Sequence, residues 1–104
     1  MFVCSNCFSD IETKSHIESL AKEKGDCKYC CTMATGLLPI EELLDFFEEL
    51  FSLYKTDNSG IRLINKIETD WGLFSDLTVS SKLIPDILQK TSFSDWNSET
   101  EVKY

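Results

Sequence analysis

Two Cys-x-x-Cys pairs, Cys4-Ser5-Asn6-Cys7 and Cys27-Lys28-Tyr29-Cys30, constrain this chain more than anything else in it. They are separated by about 19 residues, inside the spacer range of paired Cys-x-x-Cys zinc sites. One backbone bend aims two sulfurs at a point. Two such bends complete a tetrahedron and turn the intervening segment into a closed loop. Zinc takes four thiolates in this way at about 2.3 Å, and a site with four protein ligands keeps no open position for a reactant. The expected ligands are therefore Cys4, Cys7, Cys27 and Cys30, and the expected role is structural. Two disulfides, buried thiols and an iron–sulfur cluster are the competing readings. The odd total of five cysteines counts against a purely disulfide framework. Cys31 is the extra thiol and competes with Cys30; Cys30 is preferred because it keeps the two-residue spacer.

A chain of 104 residues is one domain, and small domains bury too little surface to be secure without a staple. A structural metal is such a staple, because its binding free energy becomes folding free energy. The apolar fraction of 42% supports a packed core. Net charge is −8, and four thiolates around a divalent ion would take it to about −10. An acidic surface repels phosphate, so paired cysteines alone do not imply nucleic-acid binding here. The only basic group, Lys22, Lys24 and Lys28, reads as a solvated face. There is no signal-peptide pattern and no run long enough to span a bilayer. The expected location is the cytoplasm, where reduced thiols favour metal over disulfide.

Periodicity places helices at Asp10 to about Lys24, Pro39 to about Lys55, roughly Gly60 to Trp71, and Val79 to Lys90. Asp10 is the expected N-cap of the first, Gly25 its stop. The second is the strongest: Ile40, Leu43, Leu44, Phe47, Leu50, Phe51 and Tyr54 repeat at helical spacing. Phe46 and Leu53, one heptad apart, widen its apolar face. That extra width means either a central helix with two neighbours or an edge that meets a partner. Residues 32–38 read as a connector, 55–60 as a turn, and Trp71-Gly72-Leu73-Phe74 as a packed corner. The turn at 55–60 is no calcium loop, since Lys55 and Lys66 occupy positions that must be acidic. Pro85 marks a kink or a first turn in the fourth helix. The expected fold is mainly α, a small helical domain with a zinc-ribbon or knuckle-like head at its N-terminus. The head spans residues 1–31 and the helical core 39–91. Residues 92–104 read as a polar segment leading toward another domain.

The combination Cys4-x-x-Cys7-Phe8-x-Asp10, Gly25-x-Cys27-x-Tyr29-Cys30, an acidic-aromatic helix, and Ile67-x-x-Asp70-Trp71-x-Leu73-Phe74 resembles the HEPN/RES N-terminal domain family, over roughly residues 3–104. Members are bacterial and usually precede a RES domain, a toxin that consumes NAD. The resemblance implies a helical domain with a metal-binding head, toxin–antitoxin or antiphage biology, and a protein partner: a RES-type toxin domain, an antitoxin or a second copy. It brings no catalytic site to this chain. HEPN ribonucleases pair an Arg with a nearby His, whereas the single His16 is far in sequence from the single Arg62. The expected function is a non-catalytic interaction or regulatory module. A HEPN-like ribonuclease, a Cys-x-x-Cys redox protein and a nucleic-acid reader are the alternatives.

Overall fold

In a computed structural model covering residues 1–104, nine elements follow in order: β1 (Phe2–Val3), α1 (Ile11–Leu20), β2 (Glu23–Gly25), β3 (Thr35–Pro39), α2 (Leu44–Ser52), β4 (Lys55–Arg62), α3 (Leu63–Trp71), α4 (Leu77–Gln89) and β5 (Glu101–Lys103). The expectation of a mainly α fold is overturned. The chain is a small α/β domain with two antiparallel sheets, one of three strands in the order β1-β3-β2 and one pairing β4 with β5.

The strands replace predicted helix and loop for identifiable reasons. Asp10 does cap α1, its carboxylate accepting from the Thr13 N–H at 2.9 Å and hydroxyl at 2.7 Å. The helix nevertheless stops at Leu20, and Glu23–Gly25, expected to finish it, pairs with Leu37, Gly36 and Thr35 of β3. Gly36 permits this close approach: a Cβ there would lie 3.1 Å from that of Ala21. The expected connector 32–38 is therefore mostly strand. The second predicted helix begins later than Pro39, with a 3-10 turn at Ile40–Leu43 before α2 proper. Its buried residues, Ile40, Leu43, Phe47, Leu50, Phe51 and Tyr54, are those the periodicity selects. The third starts at Leu63, because 55–62 is strand. Pro85 lies in the interior of α4, not in its first turn.

Residues 92–104 are built into the fold. Val102 is fully buried and lies opposite both Thr56 and Ile61, so residues 57–60 loop out of register. Arg62, the residue before α3, offers no side-chain cap. The first N–H groups of α3 are satisfied instead from the C-terminal segment, Leu63 by the Thr100 carbonyl at 2.8 Å and Ile64 by that of Ser98 at 3.2 Å.

An aromatic row runs through the core. Phe8 stacks on Phe74 at 5.3 Å, Phe74 on Phe47 at 6.3 Å, and Phe47 meets Phe51 at 5.8 Å. Phe51 then contacts Phe93 at 5.8 Å and Trp96 at 6.4 Å. The row begins one residue after Cys7 and ends in the C-terminal segment. The 71–75 corner is as compact as its sequence suggests: Gly72 closes α3 in the left-handed region at φ 53°, and Phe74 bridges to Phe8. No helix is long and apolar enough to cross a membrane.

Two glycines separate conformational strain from steric clash. A Cβ on Gly60 would lie 2.4 Å from the Val102 carbonyl oxygen, a backbone atom that cannot step aside, whereas one on Gly72 meets nothing within 4 Å. Gly72→Ala should cost about 1 kcal/mol from its positive φ alone, and Gly60→Ala about 2–3 kcal/mol from overpacking. Urea unfolding of both variants checks this order; equal losses, or the reverse ranking, would contradict it.

Candidate metal centre and exposed apolar face

The sheet brings the two cysteine turns together. Both β1 and β2 pair antiparallel with β3, on its opposite edges, so they run parallel to each other, both toward the Thr35 end of β3. Cys4 follows β1 directly, and Cys27 follows β2 after one intervening residue. The first turn is a 3-10 turn, Ser5–Cys7, closed by the Cys7 N–H donating to the Cys4 carbonyl at 3.1 Å. In the second, the Cys31 N–H donates to the Cys27 carbonyl at 2.9 Å, and the Cys27 N–H to that of Thr32 at 2.8 Å. Cys31 and Ala34 sit at positive φ, 64° and 51°, which bends the chain back toward β3.

Cys4, Cys7, Cys27 and Cys30 converge with all four sulfurs within 4.8 Å of one another, an arrangement that can hold a metal ion. Cys4 and Cys30 are 3.3 Å apart, Cys7 and Cys27 3.4 Å. Both separations far exceed the S–S bond of about 2.05 Å, so neither pair is a disulfide. A single tetrahedral ion with metal–sulfur bonds near 2.3 Å requires sulfurs about 3.8 Å apart, which lies inside the observed spread. Cys4, Cys7 and Cys27 are buried, Cys30 is half-buried, and Cys31 is exposed and outside the group. Cys30, not Cys31, joins the group, and Cys31, at positive φ, is solvent-exposed.

Neighbouring groups prepare the sulfurs unequally. Burial, reinforced by the Cys30 thiol, pushes Cys4 up to about 11, and burial raises Cys7 further. Cys30 is opposed by burial as well, but hydrogen bonds from the Thr32 hydroxyl at 3.1 Å and from its backbone outweigh it and hold the thiol at about 7. The cluster is anchored on both sides. The Cys7 carbonyl accepts from the Ser75 N–H at 2.9 Å, tying the first turn to the 71–75 corner. Tyr29, inside the second turn, donates to Asp86 of α4 at 2.7 Å. Burial first, and that carboxylate second, raise the Tyr29 phenol well above its usual range, so it stays a donor at every physiological pH.

Phe46 and Leu53 lie where a widened helix face would put them. They are 43% and 41% exposed, while Phe47, Leu50 and Phe51 between them are buried. With Glu49 and Leu50 they line one wall of a groove of about 330 Å³; Trp71 and Leu73 form the other, and Asp10 and Glu12 close one side. Trp71 is 44% exposed, yet its indole N–H is fixed on the Tyr54 hydroxyl at 2.7 Å, which donates to Asp70 at 2.8 Å. The groove was legible only in part. Phe46, Glu49, Leu50 and Leu53 show the i, i+3, i+4, i+7 spacing of one helix face. The opposite wall comes from the corner after α3 and has no local signature.

The remaining residues singled out by sequence neither belong to the cysteine group nor line the groove itself. His16 is on an exposed face of α1, and the guanidinium of Arg62 is held by Glu99 at 3.0 Å. Lys22, Lys24 and Lys28 are solvent-exposed. Against this geometry, no protein-family model, no curated protein and no solved structure matches the chain.

Metal analysis of single variants tests the ligand set. Cys31→Ser should retain one ion per chain, and Cys30→Ser should lose it or bind far more weakly; equal retention would move the fourth ligand elsewhere. The pH dependence has a definite sign. Cys4 and Cys7 hold their protons well above neutrality and must release them to an ion, so binding weakens as pH falls. Competition against a chromogenic chelator should show apparent affinity dropping by at least about a hundredfold per pH unit below neutrality, more once Cys30 is protonated too. A flat profile would mean that these thiols are not ligands.

Proposed function

We propose that this chain is a zinc-stabilised, non-catalytic interaction or regulatory module, in the manner of the HEPN/RES N-terminal domains that its motifs resemble. The observation that carries the reading is that α2 is apolar on two faces and buries only one of them. Phe47 and Phe51 belong to the aromatic row, whereas Phe46 and Leu53 line an open groove. A monomer gains nothing by ordering large apolar side chains in water, so such a face marks an interaction site.

Zinc fits the other half of the reading. Four thiolates form a soft, closed ligand set, and a shell filled by Cys4, Cys7, Cys27 and Cys30 leaves no coordination position for a substrate. Bound there, zinc would supply rigidity and folding energy. Cytoplasmic reducing conditions suit thiolates that must not pair as disulfides. The partner indicated by the resemblance is a RES-type toxin domain or its antitoxin, in toxin–antitoxin or antiphage defence.

Phe46 is 43% exposed and meets the core ring of Phe47 edge-on at 5.1 Å. Phe46→Glu should therefore keep the ion and the fold, at a cost of about 1 kcal/mol, while Phe47→Glu should unfold the chain. In size-exclusion chromatography with a purified RES-type domain, the unmodified chain should co-elute and Phe46→Glu should not. Absence of any complex, or a complex indifferent to the substitution, would refute the proposal.

A further inference from the structure

The groove beside α2 has a charge as well as a shape. Its apolar anchors are Phe46, Leu53 and Trp71, and its acidic rim is Asp10, Glu12 and Glu49. No lysine or arginine lines it, and none of these acids takes part in the chain's four ion pairs. The hollow that continues from it past Phe46 adds Glu42 and His16, again without a lysine or arginine. The rim thus carries negative charge that no lysine or arginine side chain neutralises, around an apolar floor. The N-terminus of α1 offsets part of it at Asp10 and Glu12, as the ordinary role of acids in a first turn requires. Glu49 lies past the middle of α2, where no helix end compensates it.

Resting on the reading of this face as a partner surface, we propose that the groove receives a basic amphipathic segment of a partner protein: a helix with apolar anchors on one face and Lys or Arg flanking them. Three observations select this occupant. The groove is shallow and open, suited to side chains projecting from a docked helix rather than to an enclosed small molecule. Trp71 is already held in place by Tyr54, so an aromatic anchor of the type that dominates interface energetics is ordered before binding. Finally, the rim selects against a second copy of this chain: a two-fold contact through the groove would set two acidic rims face to face on molecules of charge −8 each. Long-range attraction of a basic segment also speeds encounter, and salt screens it.

The test is selection from an unbiased library of displayed peptides, about 16 residues long so that each can form four helical turns, with the metal-loaded full chain as bait. The expected consensus has apolar residues at i, i+3 or i+4, and i+7, interleaved with Lys and Arg. A synthetic peptide of that consensus should bind at least about tenfold more weakly when salt is raised from about 0.05 to about 0.5 M. Binding should be abolished by Leu53→Asp and weakened about tenfold by the double variant Glu12→Gln, Glu49→Gln, both with metal content unchanged. A consensus lacking basic residues, salt-insensitive binding, binding that survives Leu53→Asp, or no enriched peptide would each overturn the proposal. Failure of the underlying reading is separately visible. If Phe46→Glu unfolds the chain, the face is structural. If Phe46→Glu folds and loses its RES-domain complex while selected peptides are neutral or acidic, only the charge inference falls.

Discussion

Convergence of four sulfurs at one end of a minimal sheet is the constraint on which the rest of this structure depends. The strands that deliver them are two and three residues long, and a three-stranded sheet with strands this short does not hold itself together. Their pairing with β3 positions the cysteine turns, and an ion bound by those turns would fix the pairing in return. The raised affinity of Cys4 and Cys7 for protons shows the cost of gathering thiols in a dry site. An ion that replaces those protons converts mutual desolvation into bonding.

From that point the order propagates along the aromatic row. Phe8 follows Cys7 in sequence and stacks on Phe74, whose own corner is tied to the first turn through Ser75 and Ser9. Phe74 passes the contact to Phe47 of α2, and Phe51 passes it to Phe93 and Trp96. The second turn makes an independent connection through Tyr29 and Asp86 to α4. The cysteine turns and the helices therefore share one core, and the cluster of 25 buried apolar residues includes Cys4, Cys7 and Cys27 alongside the helix cores. Because α2 is fixed on its buried side by this row, its opposite edge is held rigid and can present Phe46 and Leu53 in a defined arrangement.

What could be read from the sequence divides along physical lines. Sites encoded by spacing were legible: the four cysteines, the Asp10 cap, the buried stripe of α2 and the widened edge at Phe46 and Leu53. Each depends on residues close together in the chain. The strands were not legible, and the mainly α expectation failed with them. Glu23-Lys24-Gly25 has no strand propensity, Thr35–Pro39 contains a glycine and a proline, and Lys55–Gly60 has the composition of a turn. All three become strands only because a distant segment supplies hydrogen-bond partners. The same holds for the C-terminal segment, whose polar composition conceals Val102 at the centre of the second sheet and carbonyls that complete the start of α3. The far wall of the groove, Trp71 and Leu73, was likewise visible only once the 71–75 corner had packed.

With an ion held by Cys4, Cys7, Cys27 and Cys30, binding and folding would be a single event. Apparent binding free energies for structural zinc sites, about 10–16 kcal/mol, equal or exceed the whole stability of a domain this size, about 5–15 kcal/mol. The most direct measurement is far-ultraviolet circular dichroism through a thermal melt, before and after removal of bound metal with a strong chelator and again after adding zinc back. The cooperative transition should disappear with the metal and return with one equivalent of zinc. A chain shown by elemental analysis to be free of metal that still melts cooperatively at an unchanged temperature would contradict it.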